Sequence, residues 1–483
     1  MEYEAIIGLE VHAQLRTESK IFCGCSTKFG AAPNHHTCPV CAGLPGVLPV
    51  LNRRVVEYAI RTALATQCQV RRVSRWARKN YFYPDLPKGY QISMYEMPIA
   101  EHGYVDIEAD GARKRIRLTR IHMEEDAGKT IHDAGNDASL VDLNRAGVPL
   151  LEIVSEPDLR SPEEAGAYLR TLRTVLQYIE VCDGNMEEGS LRCDANVSIR
   201  PHGARTFGTK VEIKNLNSFR AVEKAISYEI HRQQRATHMG ETIVQETRLW
   251  DANREVTRNM RSKESAHDYR YFPDPDLLPL VVEQPWIDTI AATLPELPTA
   301  RRDRFMHDYS LPLYDANVLT MRKDVADYYE TTVRAYPSEP KAVSNWVMDS
   351  ILRALKDDNR DQQLTSTAWP CPPEHLGTLV RLIHEGKISG KIAKTVFDAM
   401  CATGTSPETI IAEQELAQVS NEHELTVQID HVMAANPEKV ANYRAGREKL
   451  LQFFVGQVMR ATQGKAHPQR LMDLLQQKLA AGQ

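Results

Sequence analysis

No stretch of this 483-residue chain approaches the roughly eighteen uninterrupted apolar residues of a membrane span, so we expect no membrane-embedded helix. It has neither a Gly-x4-Gly-Lys-Ser/Thr loop nor a Gly-x-Gly-x2-Gly run, which leaves composition silent on any nucleotide. The nine cysteines are odd in number and clustered unevenly, unlike a disulfide framework. With no signal peptide at its start, the chain is expected to be a reduced, cytoplasmic protein. A net charge of −5 excludes wholesale coating of nucleic acid, so any polyanion must meet a local patch. There is no sustained internal repeat and no low-complexity tract, and the length implies more than one domain.

What is present is alternation. From Ser190 to Arg200 the even positions are polar (Arg192, Asp194 and Asn196 among them), and the odd ones, Leu191, Cys193, Ala195, Val197 and Ile199, are apolar. Side chains on a strand point to opposite faces in turn, so this is a half-buried strand. After the turn-rich Pro201–Gly208 the pattern returns over Thr209–Lys214, with Lys210, Glu212 and Lys214 on the polar side, and the two runs read as a hairpin. Residues Glu4–Arg16 alternate as cleanly, with Glu10, His12, Gln14 and Arg16 on one face. An ordinary solvated sheet face explains each run taken singly. Arg113–Thr119 puts Ile116 and Leu118 inside, then the phase slips near Arg120 as a bulge would cause, so pattern alone leaves open whether Glu124 or Glu125 turns inward.

Cys23-Gly-Cys25 and Cys38-Pro-Val-Cys41 are two close thiol pairs separated by twelve residues. Four thiolates can close around Zn²⁺ with no open position, which would make the metal structural; four free thiols or a redox pair are the alternatives. Chelation is then expected to loosen this loop without touching chemistry directly. Helices are predicted over about Arg53–Cys68, from the Ser161-Pro-Glu-Glu164 capping signal onward, and over about Phe219–Arg235. The basic run Arg71, Arg72, Arg75, Arg78 and Lys79 abuts the aromatic stretch Asn80–Tyr90, where Lys79 and Lys88 interleave with rings suited to stacking on a base beside a phosphate. Strands, backing helices and hairpin connections predict an α+β domain with an antiparallel sheet.

Longer motifs carry a family resemblance. Arg78–Ser93, Met123–Lys129, Asp142–Glu152, Gly184–Asn196, Lys210–Arg220, Met260–Glu264 and Asp268–Asp276, with the four cysteines, resemble the B-subunit family of tRNA-dependent amidotransferases from the first strand to the C-terminus. In that family the N-terminal domain is a cradle related to the catalytic core of glutamine synthetase. The resemblance implies that ATP and Mg²⁺ phosphorylate the side-chain carboxylate of Glu or Asp misacylated on tRNA(Gln) or tRNA(Asn), and that ammonia then displaces phosphate. The chain has no glutaminase signature, so the resemblance further implies an amidase-type A subunit as ammonia source, and a small C subunit in a heterotrimer.

If the alternating strands share one curved sheet, Glu10, His12, Glu125, Glu152, Asp194 and Glu212 converge with Arg192, Lys210 and Lys214. Carboxylates and one imidazole suit Mg²⁺, and neighbouring cations balance phosphoryl charge. Among the motif residues, Glu10, His12 and Glu125 lead as Mg²⁺ ligands, followed by Glu152, Asp194 and Glu212. Arg192, Lys210 and Lys214 are assigned to the nucleotide, and Lys79 and Lys88 to guiding ammonia or holding phosphate. An RNA-binding scaffold would leave the acidic cluster unexplained, whereas a metal-dependent nuclease would share it.

We expect domains at 1–294 (cradle, with the knuckle at 23–41), 295–405 (helical) and 406–483 (a small helical tail). Pro279, Pro285, Pro295 and Pro298 punctuate the first linker. In the tail, Thr405–Glu438 has seven acids and no Lys or Arg, and Lys439–Gln483 has eight basic residues against two acids. Lys449, Arg460, Lys465 and Arg470 are then available for phosphates, with charge pairing inside the tail as the alternative. The resemblance assigns the tail to the tRNA body.

Overall fold

The computed structural model describes residues 2–132, 138–260, 269–357, 369–414, 416, 422–462, 466 and 468–480. Residues 261–264, residue 268 and Lys465, all singled out above, lie outside the described residues. The chain divides into two compact units, Met1–Pro298 and Thr299–Gln483.

In chain order the strands of the first unit are β1 (Tyr3–Gln14), β2 (Gln69–Val70), β3 (Val73–Asn80), β4 (Tyr90–Met97), β5 (Ala100–Ala109), β6 (Ala112–Glu125), β7 (Lys129–His132), β8 (Ser139–Asp142), β9 (Pro149–Ser155), β10 (Leu191–Pro201), β11 (Val211–Leu216), β12 (Thr247–Asp251), β13 (Val256–Asn259), β14 (Phe272–Pro273) and β15 (Leu280–Val281). Thirteen of them form one sheet with the central order β13-β12-β11-β10-β1-β9-β6-β4-β3-β14, and β7 and β8 make a separate ribbon. The pairings are antiparallel except for β11 with β12, which the helix Phe219–His238 separates in sequence. Length and apolar alternation put β1 at the centre, flanked by β10 over eleven paired positions and by β9 on its other side.

Three helices cover the apolar face of this sheet. α1 (Arg53–Ala65) packs on β5 and β6, α2 (Pro162–Tyr178) on β5, and α3 (Phe219–His238) on β10, β11 and α2. Their buried stripes, including Ala59 and Ile60, Leu169 and Leu172, and Val222 and Ile226, join Ile7, Leu9, Val11, Val197 and Ile213 in one core. The capping signal at α2 works largely as the sequence suggests. Ser161 Oγ accepts from Glu164 N at 3.1 Å, and the Glu164 carboxylate reaches past the cap to Arg160 N at 2.7 Å. α1 stops at Ala65, three residues short of the expected end, because Gln67 adopts a left-handed conformation (φ 57°) that turns the chain into β2.

The second unit is helical among its described residues. One core gathers Phe305, Tyr329, Val347, Leu379, Val396 and Ile410, and another gathers Leu425, Ile429, Phe454, Val458 and Leu475. The π-helical segment Val347–Ile351 joins α-helices Pro340–Trp346 and Leu352–Asp357. Lys478 pairs with Asp430 at 2.5 Å, so at least one cation of the basic tail is met by the acidic half. No helix among the described residues is long and apolar enough to cross a membrane.

Candidate functional site

The site is built by register. Residues directly opposite across antiparallel strands lie on the same face. Arg192 on β10 faces His12 on β1, His12 faces Glu152 on β9, and Glu152 faces His122 on β6. One row thus crosses four strands on the face opposite the covering helices. The next row brings Glu10 opposite Asp194.

His12 Nε2 lies 3.4 Å from Glu152, 3.6 Å from Glu124 and 3.9 Å from Glu10. His122 Nε2 lies 3.4 Å from Glu152 and 3.8 Å from Glu124. Burial resists charging His12, but the Glu152 hydrogen bond and the Glu124 charge outweigh it and raise its pKa. The same contest, with Glu152 the leading opponent of burial, pushes His122 up to about 9. Glu152, desolvated yet flanked by both imidazoles, is held well below the usual carboxylate range. Glu10 is pushed the other way, up to about 7, by desolvation and then by the like charge of Glu152.

The structure makes one correction to the expected set. Glu124, not Glu125, faces His12, and His122 joins the cluster as a residue the sequence reading missed. The reason is the bulge anticipated near Arg120: Leu118 pairs with Ser155 but Arg120 with Val154, so Thr119 is an extra residue. Before it the even positions Ile116 and Leu118 point into the core; after it the odd positions Ile121 and Met123 do. Glu125 keeps the odd phase, buried, with its carboxylate accepting from Lys88 Nζ and from Ile92 N at 2.9 Å.

The other expected residues fall around this cluster. Lys214 Nζ bridges Asp194 at 2.8 Å and Glu212 at 3.0 Å; burial opposes its charge, yet the two carboxylates raise its pKa. Glu212 also accepts from Thr247 Oγ1 at 2.7 Å. Arg192 Nη2 donates to Asp126 at 3.0 Å; buried Asp126, which also accepts from Gln14 at 2.9 Å, was not foreseen. Lys210 is exposed just before β11. Lys79 stacks over Tyr269 at 4.7 Å, and Arg120 lies over Tyr95 at 4.3 Å, which in turn stacks on Tyr271 at 4.9 Å.

Ligand atoms of His12, Glu124 and Glu152 lie within 4.8 Å of one another, as do those of Glu10, His12 and Asp194. This crowd of buried and half-buried carboxylates around one imidazole fits a hard divalent cation, and the raised Glu10 is the group that such a cation would relieve. The sulfur atoms of Cys23, Cys25, Cys38 and Cys41 also lie within 4.8 Å of one another. Cys38 Sγ to Cys41 Sγ is 3.8 Å, the edge of a tetrahedron with metal–sulfur bonds of about 2.3 Å. Cys41 is pushed down to about 4, chiefly by the Cys23 thiol that donates to it. The knuckle's far side packs on the lysine turn, since a Cβ added at Gly43 (φ +67°) would come within 2.6 Å of Lys88 Cγ.

Fold and site together define a large, mostly antiparallel sheet that presents a carboxylate–imidazole cluster of hard-metal chemistry, with a four-thiol knuckle at its edge. Comparison with known proteins makes the class specific. Residues 5–288 match the GatB/GatE catalytic domain and residues 327–479 the GatB domain. The chain is 58% identical over 482 residues to a protein of Geotalea daltonii, covering 99% of this chain and 100% of the relative. It is 56% identical over 483 residues to one of Carboxydothermus hydrogenoformans, covering 99% of each. Both carry the name of the B subunit of aspartyl/glutamyl-tRNA(Asn/Gln) amidotransferase. The chain belongs to the GatB family.

Proposed function

We propose that the chain is the B-type subunit of a glutamine-dependent tRNA amidotransferase, converting Glu-tRNA(Gln), Asp-tRNA(Asn) or both to the amidated forms. The names of full-length relatives more than half identical to it support this reading. The single observation that carries the chemistry is the register-aligned row of His12, Glu152 and His122 with Glu124 beside it. We read Glu10, His12, Glu124, Glu152 and Asp194 as the residues that hold Mg²⁺, Asp194 sharing Lys214 with Glu212, while Glu125 is held by Lys88. Bound there, Mg²⁺ would supply neutralisation of phosphoryl charge.

The reaction needs an activated acyl group. A carboxylate oxygen of the aminoacyl side chain attacks the γ-phosphorus of ATP and ADP leaves; ammonia then attacks the acyl carbon and inorganic phosphate leaves. Lys214 and Arg192 are positioned on the same sheet face to stabilise charge developing on the phosphoryl oxygens, and Lys210 to meet the nucleotide from the exposed edge. Lys79, over its aromatic neighbour, and Lys88, on Glu125, are read as orienting ammonia or phosphate. We further read the sheet as a cradle related to the glutamine synthetase catalytic core, the thiol knuckle as a Zn²⁺ site, and 1–294, 295–405 and 406–483 as domains, the last binding the tRNA body. An amidase-type A subunit supplying ammonia and a small C subunit complete this assembly, for which a cytoplasmic location is the fitting one.

The test is to co-purify the chain with its partners and incubate it with ATP, Mg²⁺, free ammonia and Glu-tRNA(Gln). Glutamine released by mild base, and lost with Glu124→Gln, is the expected result. ATP left untouched, or tRNA cleaved instead, would overturn the reading.

A further inference from the structure

Lys20 is a charged residue that the proposed chemistry does not use, and its side chain is wholly buried, at 0% exposure. Lysines are almost never buried to this extent without an anion. Its ammonium donates to His36 O at 2.7 Å and Leu143 O at 3.2 Å, both neutral carbonyls, and no carboxylate pairs with it among the described residues. Two backbone acceptors orient an ammonium but leave its charge unbalanced.

The thiol knuckle surrounds it. Lys20 N donates to Cys25 O at 2.9 Å, and His36 lies in the loop between the two cysteine pairs. A Cβ added at Gly147 would sit 3.6 Å from Lys20 Cδ and 3.7 Å from Cys41 Cβ, so the lysine stem and the Cys41 side chain line the same small space. Four thiolates on one Zn²⁺ leave a net charge of −2, itself a poor tenant of a half-buried loop. Each charge is the partner the other lacks.

We propose that Lys20 is a positioning residue of the knuckle, a buried counter-charge that lets four thiolates hold zinc while its two hydrogen bonds tie the knuckle to the Leu143 turn. This rests on reading the four cysteines as a zinc site. It also accounts for why a lysine is found where an apolar side chain would otherwise fill the space.

The test uses the full chain, purified with zinc, in competition against a chromophoric chelator. Lys20→Gln keeps a donor for the carbonyls and removes the charge; Lys20→Arg keeps the charge. We expect the glutamine variant to lose zinc about 10- to 100-fold more readily than the parent, the range typical of groups that support metal ligands, with the arginine variant closer to the parent. A folded glutamine variant holding zinc within about twofold of the parent would overturn the proposal, whereas a parent chain that binds no zinc would overturn the zinc reading itself. Should the glutamine variant fail to fold, amine acetylation of the parent read by mass spectrometry decides. Lys20 is expected to be protected when zinc is bound and to react once it is stripped, and equal protection in both states would overturn the proposal.

Discussion

Replacing Glu124 by Gln removes one charge from the cluster while keeping its volume. The Glu124 carboxylate is 3.6 Å from His12 Nε2 and 3.8 Å from His122 Nε2, with its side chain 5% exposed. At the effective dielectric of about 20 that suits buried protein sites, unit charges near 4 Å interact by about 4 kcal/mol. If between one third and two thirds of that is felt by the reacting phosphoryl group and its cation, the barrier rises by about 1.4 to 2.8 kcal/mol, or roughly 10- to 100-fold in rate. Glu125→Gln makes the instructive contrast, because Glu125 holds Lys88 and Ile92 N on the other face. The assay is ATP-dependent amidation with free ammonia, repeated across a Mg²⁺ titration. Glu124→Gln is expected to raise the Mg²⁺ concentration for half-maximal rate, and Glu125→Gln to lower the rate with little change in that concentration. The opposite pattern, with Glu125→Gln moving the Mg²⁺ midpoint and Glu124→Gln leaving it in place, would refute the assignment of faces.

Three further outcomes follow from the fold. Gly103→Ala should destabilise the first unit by about 1 to 3 kcal/mol in urea unfolding, because the added Cβ would meet Thr66 O at 2.5 Å and Cys68 N at 2.9 Å, neither on a flexible side chain. Glu330 is partly desolvated, but Arg304 at 2.7 Å and Arg301 hold its carboxyl below the ordinary value of 4.5. Its contribution is therefore complete above about pH 4.5 and lost as pH falls through the lower folded value; Glu330→Gln should cost about 1 to 3 kcal/mol at pH 7 and flatten the acid side of the stability profile. Deleting Thr119 removes the extra residue of the β6 bulge and leaves Ile116, Leu118, Ile121 and Met123 on one unbroken alternation, so the deletion should keep cooperative folding of the first unit as read by circular dichroism, and loss of that folding would refute the assignment of Thr119 as the extra residue.

Much of this site was legible because alternation is local. Glu10, His12, Asp194 and Glu212 could be assigned to polar faces from period two alone, and the spacing of the four cysteines by itself marked them as a cluster. His122 and Glu124 were also within reach. Once the phase slips near Arg120, the apolar pair Ile121 and Met123 resets it, and the residues between and after them must face the other way. Asp126 was not legible, since it lies past the strand end and meets Gln14, Arg145 and Arg192 only through the closure of the sheet. The same distinction explains what the bulge does for this sequence. With Thr119 paired regularly, a strand whose first half packs Ile116 and Leu118 against the helices would turn His122 and Glu124 into the core. One unpaired residue lets a single strand anchor the hydrophobic layer along its whole length and still deliver an imidazole and a carboxylate to Glu152 on the opposite face.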